Sequence, residues 1–112
     1  MASMIFVFAD DATLDVIAGP EEAVRRYEGV DVEDGVYKFF DETGTQLNPH
    51  FIKPNRRSKF TVESGEFELL PSAHPGDGDI FSHLNEVREL SPNRWFDDIE
   101  EVKSFFHKQR RS

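Results

Sequence analysis

The sequence predicts an α+β fold, a mainly antiparallel sheet of four to five strands with three helices packed on one face. Three observations predict it. Short runs rich in Phe, Val, Ile and Thr recur near residues 4–8, 35–41, 59–63 and 66–70, as strands require. Two gaps between extended runs, Asp41-Glu42-Thr43-Gly44 and Ser64-Gly65, carry the glycine of a short hairpin loop. Three further stretches space apolar residues three and four apart behind Pro or Asp, the period and start signal of amphipathic helices.

Taken in order, Met4-Ile5-Phe6-Val7-Phe8 is apolar on both alternating faces, the pattern of a central strand covered on both sides. Residues 10–18 read as a loop or short extension. Gly19-Pro20-Glu21-Glu22 then starts a helix over about 20–28, with Pro at the first position and two acids facing the positive dipole end. Ala23, Val24 and Tyr27 form its apolar stripe, and Gly29 stops it. Residues 35–41 form an aromatic strand that turns at Gly44 into a strand over 45–53. Pro49 and Pro54 cannot donate to a ladder, so this returning strand is expected at an edge, irregular, or ended by them.

The next hairpin centres on Ser64-Gly65, pairing Val62 with Phe67 and Phe60 with Leu69 on one buried face. Residues 71–79 form a loop, and Asp79 or Ser82 caps a helix carrying Ile80, Phe81, Leu84, Val87 and Leu90. A last helix opens at Asp97-Asp98-Ile99-Glu100, an Asp form of the capping box, with Ile99, Val102, Phe105 and Phe106 on its apolar face.

At 112 residues and 12.9 kDa the chain has the length of one domain, placed at residues 4–110, and can bury roughly two-thirds of its surface without disulfides or metal. Met1, Ala2 and Ser3, followed by a second methionine, read as a cloning remnant or an alternative start. The absence of cysteine removes thiolate metal sites and cysteine nucleophiles and makes the cytoplasm the expected compartment. No apolar run approaches the length of a membrane helix. Thirteen basic against twenty-two acidic side chains, net −9, argue against nucleic acid and for steering of a basic partner. Lys53, Arg56, Arg57 and Lys59 form a basic island in this acidic field.

No serine-hydrolase elbow, dinucleotide fingerprint or phosphate loop occurs, so no catalytic residue, cofactor or metal site is assigned. Four constellations stay open. Asp10-Asp11 past a strand end suits a magnesium site or a plain strand terminator. The loop from His74 to Asp79 carries one imidazole and two carboxylates but lacks the spacing of a calcium loop. Arg94-Trp95, of the residue types that dominate interface hot spots, is either a lid on the core or a partner contact. The basic island is either a solvated turn offsetting nearby acids or a contact for an acidic partner.

The stretch from Tyr27 to Gly44 contains Asp31-Val32-Glu33-Asp34-Gly35-Val36-Tyr37, then Phe40-Asp41 and Gly44. It resembles a pattern in small bacterial proteins, some similar to immunity proteins of contact-dependent or polymorphic toxin systems. The resemblance implies no catalytic residues. It implies a compact acidic protein that binds and occludes a toxin domain with a basic surface. The expected contact residues are Asp31, Glu33 and Asp34, with Arg94 and Trp95. The alternative is a small-molecule-binding domain or small enzyme using a pocket on the sheet face, with Asp10, His50 and His74 as its polar groups.

Overall fold

The computed structural model describes residues 4–59, 61–72 and 80–110. Phe60, His74, Asp77, Asp79 and residues 1–3 lie outside them. The fold is α+β with a six-stranded, mainly antiparallel sheet. It begins as a hairpin of β1 (Met4–Ala9) and β2 (Thr13–Ala18), where the sequence reads residues 10–18 as a loop or short extension. The turn signal is absent because Ala12, not glycine, occupies the positive-φ position, at 69°. A non-glycine residue there carries strain of roughly 1 kcal/mol. Ala12→Gly should therefore stabilise the chain by about 0.5–1 kcal/mol in urea titration, whereas a loss would show that the turn is relaxed as it stands.

Gly19, at φ 95°, swings the chain into α1 (Pro20–Arg26), and the Glu22 carboxylate accepts the Ala18 N–H at 2.9 Å. Gly29 opens a second short helix, α2 (Gly29–Glu33), where the sequence reads it as the stop of the helix over about 20–28. β3 (Tyr37–Asp41) and β4 (Gln46–Lys53) form the expected hairpin, in which the Asp41 carboxylate accepts the N–H groups of Thr43 and Thr45 and Gly44 takes φ 84°. The chain then makes a small arm, β5 (Arg56–Arg57) against β6 (Val62–Glu63), and returns as β7 (Glu66–Pro71).

The Ser64-Gly65 hairpin is not formed. β7 pairs with β4, setting Phe67 opposite Phe51, and Val62 is 61% exposed on the arm. Phe67 gains more apolar contact on the large sheet, against Phe39 and Phe51, than a two-strand ribbon offers. Pro49 behaves as its chemistry requires. Asp41 and Thr45 form a hydrogen-bonded pair, so the alternation makes residue 49 the next but one that would donate toward β3, and the β3–β4 register stops at Leu47.

α3 (Ile80–Leu84) is shorter than the spacing through Leu90 suggested. The Arg88 N–H donates to the Ala12 carbonyl at 2.8 Å, and β8 (Glu89–Leu90) runs parallel to β2, satisfying an edge that a continued helix would leave open. α4 (Ile99–Arg110) is capped one residue later than expected, with Asp98 accepting the Glu101 N–H and Glu101 accepting that of Asp97.

The sheet order is β7-β4-β3-β1-β2-β8. Helices cover both of its faces, not one. Ile5, Val7, Ile17, Phe39 and Phe67 pack with Ala23, Tyr27 and Val32 under α1 and α2. The alternate residues Phe6, Phe8, Val16 and Phe40 pack with Ile80, Leu84, Val102 and Phe106 under α3 and α4. The doubly apolar β1 demands this second layer.

Candidate functional site

Backbone hydrogen bonds assemble an acidic surface at one end of the sheet. Ala9 is the register partner of Tyr37, the Asp10 N–H donates to the Val36 carbonyl at 3.0 Å, and the Val36 N–H donates to the Asp31 carbonyl at 3.2 Å. Asp10 and Asp11 from the β1–β2 turn, Asp31 from α2 and Tyr37 from β3 thus share one end. Asp10 and Asp11 are exposed, while Asp31 and Tyr37 are half-buried. The Tyr37 ring lies 4.6 Å from that of Tyr27.

The electrostatics match this geometry. Burial pushes the Tyr37 phenol above its ordinary value, and the negative charges of Asp31, Asp10, Asp11 and Asp15 push it the same way. Tyr27 is raised further, first by burial and then by donating its hydroxyl to Asp15 at 2.9 Å. A raised tyrosine contributes stability that is present below pH 10 and is lost as pH climbs through the folded-state value. Urea midpoints should hold between pH 8 and about 10 and fall beyond it, less steeply in Tyr27→Phe. Equal slopes in the two proteins would remove Tyr27 from the explanation.

The acids differ in their partners. Asp15 meets Arg26 at 3.6 Å, and Asp34 and Glu33 meet Arg57 of the arm at 3.0 and 4.0 Å. Among the described residues no cation pairs with Asp10, Asp11 or Asp31. Arg57 therefore offsets nearby acids, which is the turn reading of the basic island. Asn55 fixes the arm in place, donating to the Gly29 carbonyl at 3.0 Å and accepting the Gly65 N–H at 2.7 Å.

Of the expected contact residues, Asp31, Glu33 and Asp34 lie on or beside α2. Arg94 and Trp95 lie on the other side of the sheet. There Trp95 packs, half-buried, against the core under α3 and α4, and the Arg94 guanidinium sits 4.8 Å from the centre of its ring. The five residues do not form one surface. A cleft of about 210 Å³ beside the acidic end is lined by Asp10, Lys38, His83 and Glu86 among others, with the His83 ring 5.3 Å from that of Phe8. His50 does not line it, being on β4 opposite Glu68, so Asp10 and His50 are not brought into one pocket.

Sequence reading missed Tyr37, Asp15, Asn55 and His83 as site residues. The only local signal was the apolar and aromatic alternation around Tyr37, which says that it is in a strand and not which acids meet it. Among the described residues no group of three or more His, Asp or Glu side chains could hold a metal ion, and no helix is long and apolar enough to cross a membrane. No family model matches the chain, and neither a curated protein nor a solved structure matches it.

Proposed function

We propose that this chain is a protein-binding module of the immunity type, occluding a basic surface of its partner with the acid-lined end around Tyr37. The observation that supports it is the set of carboxylates on Asp10, Asp11 and Asp31, which among the described residues pair with no cation, beside a half-buried tyrosine. Carboxylates accept hydrogen bonds from Lys or Arg, and an aromatic face adds cation–π attraction to the same cation. Nothing in this arrangement is a nucleophile activated by a base. Glu33 and Asp34 take a smaller part because they share Arg57, which offsets one of their two charges, and Arg94 and Trp95 lie on the other side of the sheet.

The test is association kinetics with a partner captured from the source cell at low salt. Reversing Asp10 and Asp31 to Lys should slow association about tenfold or more and flatten its salt dependence, while Trp95→Ala leaves the association rate unchanged. A partner that associates with the reversed variant at the wild-type rate overturns the reading. A second reading, a small-molecule or enzymatic site, has the cleft lined by Asp10, Lys38, His83 and Glu86 in its favour. Its volume of about 210 Å³ lies below the range of ordinary ligand pockets and limits it to a ligand of few heavy atoms.

A further inference from the structure

We infer that the outer edge of β7 is a second binding site, which takes an extended, basic segment of a partner protein as a seventh strand. The inference does not rest on the reading of the Tyr37 end. Its first support is backbone chemistry. The Ser72 N–H donates to the Gln46 carbonyl at 2.9 Å across the β4–β7 register, so Ser72 and Gln46 form a hydrogen-bonded pair. Alternation then makes Leu70 with Asn48 and Glu68 with His50 the next such pairs, and turns the N–H and C=O groups of Phe67 and Leu69 outward. Among the described residues nothing bonds these outward groups.

Sheet edges usually carry protection, in the form of charged side chains, lysine above all, an internal proline, a bulge or a very short strand. The charges of the six-residue β7, Glu66 and Glu68, are both acidic and so deter an acidic strand but not a basic one, and its proline, Pro71, is the last residue. The register irregularity lies at residues 51–53 of β4 instead. At the opposite edge the sheet ends in the two-residue β8. Among the described residues the long edge is therefore the one left able to accept a strand.

The side chains define the occupant. The core under α3 and α4 draws on β1, β2 and β3, and on the same face Gln46 of β4 is still buried whereas Asn48, His50, Ile52, Glu66, Glu68 and Leu70 are exposed. That face presents Glu66, Glu68 and Leu70 on β7, with Ile52 on β4 behind them at 64% exposure. An incoming strand places its same-face residues beside these, where Lys or Arg meets Glu66 and Glu68 and an apolar residue meets Leu70. Its other face lies beside Phe67 and Leu69 and is apolar. A strand alternating basic and apolar residues satisfies both faces, as in strand addition to other exposed edges. A second copy of this chain fits poorly, since each copy carries −9.

The probe is a blocked ten-residue peptide of alternating Lys and Val, added to the isotope-labelled full chain. Hydrogen exchange at the Phe67 and Leu69 amides should slow tenfold or more at saturation. A peptide of the same composition in scrambled order, or one N-methylated at alternate residues, should give no such protection. Glu68→Lys, at an exposed position, should weaken binding about tenfold with the amide spectrum otherwise preserved, whereas reversal of Asp10 and Asp31 leaves it unchanged. The proposal is overturned if the N-methylated peptide protects equally, or if the shifts centre on Asp10 and Asp31. It is also overturned if these amides are already protected in a dimer of the chain without peptide.

Discussion

Replacing Phe6 by alanine is expected to cost about 3–5 kcal/mol, a large share of the 5–15 kcal/mol that holds an ordinary domain together. Phe6 is fully buried in the centre of the sheet, between its register partners Val16 and Phe40. Its ring lies 4.8 Å from that of Phe106 and 5.9 Å from that of Phe96, so it is the residue on which α4 and the segment before it rest. Truncation removes those contacts from several neighbours at once, and rings held by a strand and a helix collapse poorly into the gap. Urea denaturation reads the effect directly, with the midpoint falling and the slope unchanged. A loss under about 1 kcal/mol would mean that the face under α3 and α4 is not packed as described.

The second large effect is expected at Gly65. A side-chain carbon there would run into the Lys53 carbonyl oxygen and the Pro54 backbone, where the chain leaves β4 and where it comes back to begin β7. The same residue donates its N–H to Asn55. Gly65→Ala must push two backbone segments apart and strain that bond, for about 2–4 kcal/mol when overpacking and a weakened hydrogen bond are combined. Asn55→Ala removes the bond without the clash and should cost less, about 1–2 kcal/mol. Equal losses would show that the close backbone crossing carries no strain of its own. In both variants amide exchange should rise first along residues 53–66, because the crossing holds the arm against α2.

Gly65 also shows where sequence reasoning went astray. A glycine after a serine, between two extended runs, is the usual mark of a tight turn, and the apolar positions on either side even agreed in register. In the fold the glycine is needed for close approach of a distant backbone, and the strand that follows pairs with β4. Two uses of glycine, turn and close approach, look the same in one dimension. The missed β2 is the converse case, a real hairpin whose positive-φ position holds alanine and so carries no sign of a turn. At the candidate site Asp31 was legible as an acid on a connection. Its company of Asp10, Asp11 and Tyr37 was not, because that grouping depends on the β1–β3 register.

What the sequence by itself determined are the properties that depend on neighbours a few residues away. The two-faced alternation of β1, the Asp41–Gly44 turn with its carboxylate-capped N–H groups, the apolar face and acidic cap of α4, and the net charge all follow from local spacing and composition. Only the tertiary structure decided which strand β7 joins, which face each helix covers, and which acids Arg57 and Arg26 meet. Those choices compare the burial of whole faces between alternatives far apart in the chain. Phe67 has a nearby partner in Val62 and a distant one in Phe51, and it takes the distant one because the large sheet withdraws more apolar surface from water than any local ribbon could.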